Sequence, residues 1–187
     1  MNALILNGGG TREPYGGIEG RLSAWLGFRG ICASAFDLTQ MDIKPCRGCF
    51  ECWTATPGLC LQHDAMESIL PVLATSDLIA WITPVVYGGY GFHLKKALDR
   101  SIPILLPFFV KIRGEVHHPM RYGLEPRLAA IGVLPTGDPD TERIFHGLVT
   151  RNAVNMHATP VSLVLHEGEA DGAWEEHLTP LLSGMEP

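Results

Sequence analysis

Short apolar runs alternate along the chain with segments whose apolar residues recur every three or four positions. The runs lack a helical period and are short enough to be strands buried on both faces of a sheet. Five such strands are predicted, at residues 3–6, 33–38, 77–84, 128–134 and 161–165.

Helices are predicted between these strands. Ile18, Leu22 and Leu26 fall at helical spacing after the first strand. Asp64 as N-cap with Glu67 three residues later is a capping-box pattern, so a helix is expected to begin at Asp64. Further helices are predicted around residues 94–98, after Asp138-Pro139 (as in "DPDTERIFHGLVTRNAV") and over 174–182.

This alternation predicts an α/β fold, with a parallel sheet covered by helices on both faces. We expect one domain over residues 1–187, interrupted by a cysteine-rich loop at 44–62 and an irregular insert at about 101–127. An insert of that length is expected to be functional or to form an interface. Ligands of such sheets bind at the carboxyl ends of the strands.

Composition and charge argue against nucleic acid and membranes as binding partners. Hydrophobic residues make up 46% of the chain and charged residues 18%, and the net charge is −6. A chain with this charge and no basic stripe is a poor candidate for binding nucleic acid or an anionic membrane. The chain has no apolar run of the ~20 residues that a membrane helix needs. The start "MNALILNGGG" lacks a basic signal-peptide region, so a cytoplasmic location is expected.

Three loops leave the carboxyl ends of predicted strands with unusual chemistry. Glycines in the first, "NGGGTREPYGG", allow close backbone approach to a phosphate at the start of a helix. The second, "TPVVYGGYG", offers flat tyrosine faces and backbone groups to a planar heterocycle, and the third, "LPTGDPD", could complete that pocket. Each loop could equally be a plain turn. The candidate ligand-binding residues are Gly8, Gly9, Gly10, Thr11, Arg12, Thr83, Pro84, Val85, Tyr87, Gly88, Gly89, Thr136 and Gly137.

Four of the five cysteines, Cys46, Cys49, Cys52 and Cys60, lie in the stretch "KPCRGCFECWTATPGLC". In a reducing compartment such a group is more often a metal site or a redox site than a set of structural disulfides. A packed loop is the simpler alternative. Cys32 stands apart beside a predicted strand and is interpreted as a small buried apolar residue.

"LILNG", the cysteine loop followed by "HDAM", and "DLIAWITPVVYGGYGFHLKKALDR" together resemble the NADPH-dependent FMN reductase family, and within it the iron–sulfur flavoproteins. The resemblance covers most of residues 1–105. It implies a flavodoxin-like three-layer sandwich with strand order 2-1-3-4-5, bound FMN, NAD(P)H as electron donor, and a homodimer or homotetramer.

The iron–sulfur subgroup has a compact four-cysteine motif, and the C-x2-C-x2-C-x7-C spacing here is similar to it. The resemblance implies a 4Fe–4S cluster on these four thiolates. Zinc suits the spacing less well, because both C-x2-C steps share Cys49. A packed loop without a cluster stays open as the alternative.

The first loop departs from the family pattern. Relatives have G-S-P-R and later hydroxyl side chains that hold the FMN phosphate, whereas this chain has Gly8-Gly9-Gly10-Thr11-Arg12 and then Gly17-Ile18. The phosphate is expected near Gly9, Gly10, Thr11 and Arg12, held by backbone N–H groups and the guanidinium.

The function expected is an FMN-dependent oxidoreductase that passes electrons from NAD(P)H to a flavin, a quinone or another small acceptor. A carrier of electrons between proteins, and a relative that has lost FMN, are the alternatives. No catalytic acid or base is assigned. His117, His118 and Arg121 in the insert could line a substrate site, but are interpreted first as part of an interface or a solvated loop.

Overall fold

The computed structural model describes residues 1–123, 125–166 and 172–183. Its strands are β1 Asn2–Asn7, β2 Cys32–Asp37, β3 Leu78–Val86, β4 Gly89–Tyr90, β5 Val110–Ile112, β6 Glu115–His117, β7 Arg127–Leu134 and β8 Thr159–His166. Its α-helices are α1 Tyr15–Phe28, α2 Glu51–Thr54, α3 Met66–Leu73, α4 Phe92–Asp99 and α5 Pro139–Asn155. Two 3₁₀ segments cover Ile102–Ile104 and Trp174–Leu182.

Five parallel strands form the central sheet in the order β2-β1-β3-β7-β8. Counted along the chain as the five main strands, this is the predicted order 2-1-3-4-5. The central strand β3 is apolar and buried over most of its length, because both of its faces are covered. The flavodoxin-like α/β fold is therefore confirmed.

Two hydrophobic cores lie on opposite faces of the sheet. Alternation along β1 sends Leu4 and Leu6 to one core and Ala3 and Ile5 to the other. The first core is closed by α3, α4 and α5, and the second by α1 and the C-terminal 3₁₀ segment. The three-layer arrangement follows from this division.

The predicted capping box at Asp64 is wrong in part. Asp64 Oδ1 does accept the Met66 N–H at 3.0 Å, but α3 begins at Met66 and Glu67 pairs with His63 Nδ1 at 2.6 Å. The reason is that Asp64 has a second role: both of its carboxylate oxygens bind Arg100.

The insert at 101–127 is more regular than predicted. It contains the 3₁₀ segment Ile102–Ile104 and a β5–β6 hairpin, although Leu124 lies outside the described residues. The turn of the hairpin is Arg113-Gly114, and both residues have positive φ, as a two-residue type I′ turn requires.

Cys32 is exposed, so the interpretation as a buried apolar residue is wrong. It begins β2, which is an edge strand of the sheet. The prediction of one domain over 1–187 also includes residues 167–171 and 184–187, which lie outside the described residues. Among the residues that are described, no helix is both long and apolar enough to cross a membrane.

Candidate functional site

The first two predicted loops meet at the carboxyl edge of the sheet. β1 lies between β2 and β3, and Gly8 at its end donates its N–H to the carbonyl oxygen of Ile82 on β3 at 2.8 Å. A Cβ on Gly8 would lie 3.0 Å from the Cβ of Leu94, so the loop also packs closely on α4. β7 pairs with the other side of β3 and brings the third loop to the same edge.

Asn7 organises the first loop, and sequence reasoning missed this role. Its Oδ1 accepts the N–H groups of Gly9 and Gly10 at 3.0 and 3.1 Å. Its Nδ2 donates to the Gly10 carbonyl at 3.0 Å and to Glu19 Oε2 at 2.8 Å. The N–H groups expected to face a phosphate are therefore bonded within the loop. An asparagine directly before a glycine run was the signal available, because its side chain readily bonds nearby backbone groups.

Close packing explains two of these glycines. A Cβ on Gly9 would lie 2.0 Å from the Tyr15 ring, so that ring already fills the space beside Gly9. Gly10 has φ +79°, and a Cβ there would meet Thr39 Oγ1 at 2.7 Å. Gly8, Gly9 and Gly10 are all buried.

Thr11, Arg12 and Glu13 are the exposed residues of the first loop. The Arg12 guanidinium carbon lies 5.5 Å from the centre of the Tyr15 ring, within reach of a cation–π contact. Carboxylates lie nearby, since Glu13 Oε2 is 2.8 Å from the Cβ position of Gly17 and Glu19 bonds Asn7. A phosphate at this end would gain Arg12 but would also meet acidic side chains.

The second loop is a tight hairpin between β3 and β4. Val85 pairs with Tyr90, and the turn residues Tyr87 and Gly88 have φ of 50° and 78°. Thr83, which is fully buried, accepts the Gly91 N–H on its Oγ1 at 2.9 Å and donates to the Pro84 carbonyl at 3.0 Å. The hairpin is thus fixed from within.

The outer surface of this hairpin and the first residue of α4 beside it are apolar and open. Tyr87 is 98% exposed, Phe92 66% and Val86 49%. Flat and apolar side chains at the carboxyl edge of the sheet can stack against a planar ring. The ring end of a flavin therefore fits this surface better than its phosphate end fits the first loop.

The third loop leaves β7 with Thr136 and Gly137 both exposed. Asp138 caps α5 by accepting the Asp140 N–H at 3.2 Å, which confirms the predicted helix start. Beside Gly137, His166 Nε2 lies 3.0 Å from Glu142 Oε1. This His–Glu pair was not predicted, because the two residues are 24 positions apart in the sequence.

The four clustered cysteines line one cavity of about 340 Å³. Cys46 and Cys49 are exposed, Cys52 and Cys60 are partly buried, and all four are free thiols. Burial raises the pKa of the Cys52 thiol, and the nearby thiols of Cys60, Cys49 and Cys46 raise it further. The structure thus brings together the four residues that the sequence spacing selected.

Arg100 fastens both ends of the cysteine loop. Its Nη1 donates to the Lys44 carbonyl at 2.8 Å and its Nη2 to the Gln62 carbonyl at 3.2 Å. The same nitrogens bind Asp64, at 2.6 and 3.1 Å, in a pair that is almost completely buried. Burial would lower the pKa of Arg100, but hydrogen bonds and charge from Asp64 and Cys60 raise it overall.

Asp64 stays ionised because its bonds to Arg100 and to backbone amides stabilise the carboxylate. Burial would raise its pKa, but hydrogen bonds from Arg100 and from the Lys44 and Met66 amides outweigh burial and lower it. The buried positive charge of Arg100 consequently lies next to Cys60.

The described residues contain no group of three or more His, Cys, Asp or Glu side chains placed to hold a single metal ion. An iron–sulfur cluster is several atoms across, so its thiolates stand further apart than the ligands of one ion. Four cysteines line one cavity with Arg100 beside them, and thiolates are the residue type that ligates such clusters.

The insert packs against the cysteine loop. Trp53 Nε1 donates to the Leu105 carbonyl at 3.0 Å, and the Trp53 ring lies 4.7 Å from His118 and 5.1 Å from Phe50. Arg121 Nε donates to the Pro103 carbonyl at 2.9 Å. His117 is buried, so it does not belong to a solvated loop.

No protein-family model matches the chain. An iron–sulfur flavoprotein of Methanocaldococcus jannaschii is 33% identical over 87 residues, which are 46% of this chain and 43% of that protein. An iron–sulfur flavoprotein of Archaeoglobus fulgidus is 27% identical over 99 residues, which are 50% of this chain and 43% of that protein. Each match therefore spans less than half the length of the relative.

Solved structures extend the likeness to the rest of the chain. An NAD(P)H:quinone oxidoreductase of Methanothermobacter marburgensis superposes with a TM-score of 0.65 at 14% identity, covering 100% of this chain and 99% of its own. RosB, solved with bound 8-demethyl-8-formylriboflavin-5'-phosphate, also gives 0.65 at 13% identity, covering 98% of this chain and 76% of its own. At these identities the structures show the fold.

The resemblance read from the sequence is confirmed by both kinds of relative. The chain is similar in sequence to iron–sulfur flavoproteins, and its fold is the flavodoxin-like fold of the quinone oxidoreductase neighbour.

Proposed function

We propose that the chain is an FMN-dependent oxidoreductase that passes electrons from NAD(P)H to a flavin, a quinone or another small acceptor. The observation that carries the proposal is the open apolar hairpin at the carboxyl edge of the sheet, flanked by the exposed parts of the first and third loops. Relatives named as iron–sulfur flavoproteins, and fold neighbours named as a quinone oxidoreductase and as an azoreductase in complex with FMN, support it.

The isoalloxazine ring is assigned to the β3–β4 hairpin. Pro84 to Gly89 would contact one side of the ring, and Thr136 and Gly137 the other. The Thr83–Gly91 hydrogen bond keeps the hairpin rigid, which favours a preformed ring site. FMN, when bound, supplies the hydride and electron chemistry, and the chain positions it and excludes competing reactions.

The phosphate is assigned to Thr11 and Arg12. These are the exposed donors of the first loop, whereas the Gly9 and Gly10 amides are held by Asn7. An arginine gives a charge-assisted bond to a phosphate. Gly9 and Gly10 would contribute only if the Asn7 side chain turned away from them.

Flavin titration tests this assignment. FMN added to the full chain should cause a saturable change in flavin fluorescence at micromolar protein. Arg12→Ala should weaken FMN binding about tenfold and leave riboflavin binding nearly unchanged, because riboflavin has no phosphate. Arg29→Ala, which removes an arginine packed on Trp25 at the far end of α1, is the matched control. If FMN causes no saturable change, the enzyme assignment fails and the fold stands.

We also propose that Cys46, Cys49, Cys52 and Cys60 hold a 4Fe–4S cluster, which would relay electrons to or from the flavin. The shared cavity and the fixed positive charge of Arg100 support this placement. Anaerobically purified protein should contain iron and acid-labile sulfide, and Cys49→Ala should lose both. Cys32→Ala, outside the cavity, should keep them. If wild-type protein takes up no iron on anaerobic reconstitution, the cluster hypothesis is wrong and the cysteine stretch is a packed loop.

One observation favours a carrier of electrons between proteins as the second candidate. Cys46 and Cys49 are exposed, so a cluster at these thiols would lie near the surface and within reach of a protein partner. A carrier would hold FMN and the cluster but would not oxidise NAD(P)H on its own. Steady-state oxidation of NAD(P)H by the purified protein separates the two candidates.

A further inference from the structure

Arg100 carries one hydrogen-bond donor that has no acceptor beside the four-cysteine cavity. A guanidinium has five N–H groups, two on Nη1, two on Nη2 and one on Nε. Lys44 and Asp64 accept from Nη1, and Gln62 and Asp64 accept from Nη2. Nε is buried, and no acceptor lies at hydrogen-bonding distance and angle from it among the described residues. Four of the N–H groups are therefore paired and the fifth is not.

The unpaired N–H is costly where it stands. The Arg100 side chain is 1% exposed, so bulk water does not replace the missing acceptor. The guanidinium cannot turn to pair Nε elsewhere without breaking its bonds to Lys44, Gln62 and Asp64. A donor held unpaired in this way indicates an acceptor that is brought into place when a group binds nearby.

Asp64 has no capacity left for this fifth N–H. Its Oδ1 accepts the N–H of Met66 as well as Nη2 of Arg100, and its Oδ2 accepts the N–H of Lys44 as well as Nη1. A carboxylate has about four lone-pair positions, and these bonds use all of them. The acceptor for Nε must therefore be another group.

Cys60 is the group placed to supply that acceptor. Cys60 and Arg100 both line the cysteine cavity, and the carbonyl of Gln62, two residues after Cys60, is bonded to Nη2. Burial would lower the pKa of Arg100, but hydrogen bonds to Asp64 and the charge of nearby Cys60 raise it overall, so the sulfur lies close to the guanidinium. With the other four N–H groups paired, Nε is the donor that remains for this sulfur.

We propose that, when the four cysteines carry the cluster proposed above, Nε of Arg100 donates its N–H to the sulfur of Cys60 and thereby makes the cluster easier to reduce. The inference rests on that cluster. One electron from the flavin adds one negative charge to the cluster, and a cationic donor on a ligand sulfur stabilises that charge. Because Arg100 acts through Cys60, it is a positioning residue.

A redox titration of the cluster separates this role from a merely structural one. Arg100→Lys keeps a positive charge for Asp64 but has no Nε–H, so the equilibrium constant for one-electron reduction of the cluster should fall about tenfold. Arg47→Lys is the matched control, because Arg47 is exposed and lines the same cavity, and it should leave that constant within about twofold of the wild type. Anaerobic titration followed by EPR gives the constant, and iron and acid-labile sulfide show that each variant is loaded. An unchanged constant in loaded Arg100→Lys overturns the proposal.

A second measurement covers the case in which Arg100→Lys does not hold the cluster. In wild-type protein grown with ¹⁵N-arginine, pulsed EPR of the reduced cluster should detect coupling to an arginine nitrogen, and Arg47→Lys should retain this coupling. Absence of the coupling, or its loss in Arg47→Lys, overturns the proposal. Wild-type protein without iron would contradict the cluster and this inference together, whereas a loaded cluster without the coupling contradicts this inference alone.

Discussion

At the scale of single residues, three buried polar side chains near the carboxyl edge of the sheet and the cysteine loop hold loops in place. Asn7, Thr83 and Arg100 are 1%, 0% and 1% exposed, and each ties loop backbone to the sheet or to α4. Their hydrogen bonds are internal, so these residues shape the surface on which the exposed Arg12 and Tyr87 are displayed. Buried polar groups of this kind are costly to leave unpaired.

The buried Asp64–Arg100 pair should make the free energy of unfolding depend on pH in the acid range. The folded-state pKa of Asp64 is lowered, so its stabilisation is fully present above the unfolded value of about 3.9 and is lost as pH falls through the folded value. Asp64→Asn should destabilise the protein by about 3 kcal/mol at neutral pH, because it leaves Arg100 buried without its charge partner. It should also flatten the loss of stability in acid. Urea unfolding at several pH values measures both effects.

Asp140→Asn is the matched control for that variant. Asp140 pairs with Arg143 at 3.1 Å, but both side chains are mostly exposed, so the change should cost less than about 1 kcal/mol. Equal destabilisation by the two variants, or an unchanged acid slope in Asp64→Asn, would show that the buried pair contributes no special stability.

At the scale of elements, the two hairpins share a turn type but differ in packing. Gly88 and Gly114 both have positive φ, at 78° and 86°. A Cβ on Gly88 would lie 2.4 Å from Ile144 Cγ2, whereas a Cβ on Gly114 would meet nothing within 4 Å. The β3–β4 hairpin is therefore pressed against α5, and the β5–β6 turn is open.

This difference predicts unequal effects of one substitution at the two turns. Gly114→Ala should cost about 1 kcal/mol, the price of a left-handed conformation in a residue with a Cβ. Gly88→Ala should cost clearly more, because Ile144 must also move. Thermal or urea unfolding of the two variants decides it. Similar losses at both turns would mean that the hairpin moves freely away from α5.

Sequence patterning located the elements of the sheet because buried parallel strands are continuous apolar runs. It found all five main strands and the helix that begins after Asp138. It missed the β5–β6 hairpin, since strands of three residues carry too little pattern. It also missed the contacts of Arg100 with Lys44 and Asp64, because residues 56 and 36 positions apart meet only through the fold.

The sequence predicted only part of the candidate site, because contacts between residues distant in sequence leave no pattern in it. Motif spacing selected the four cysteines that line one cavity, because they are close in sequence. The role of Asn7 and the pairing of His166 with Glu142 depend on three-dimensional contacts and were not anticipated. The residues assigned to FMN stay a prediction.

At the scale of the whole molecule, the insert carries a group of exposed apolar side chains. Phe109 is 75% exposed, Val116 67% and Phe108 65%. Neighbouring exposed apolar residues commonly mark a protein interface. We therefore predict that a homodimer or homotetramer of this chain would form through this surface.

Substitution within that surface tests the assembly. Phe109→Asp should convert the oligomer to a monomer in light scattering after size-exclusion chromatography. Phe28→Asp, at a still more exposed phenylalanine (90%) at the end of α1, should leave the assembly unchanged. A wild-type chain that is monomeric at high micromolar concentration contradicts the assignment.

The central claim, that this fold carries a flavin through which NAD(P)H is oxidised, is tested most directly by anaerobic reduction. The protein is loaded with FMN and freed of excess flavin, and then NADH or NADPH is added while the flavin absorbance is followed. The account predicts that one of the nucleotides bleaches the bound flavin, and that 1,4-benzoquinone restores the absorbance. Bound flavin that stays oxidised with both nucleotides, yet is reduced by dithionite, would contradict it.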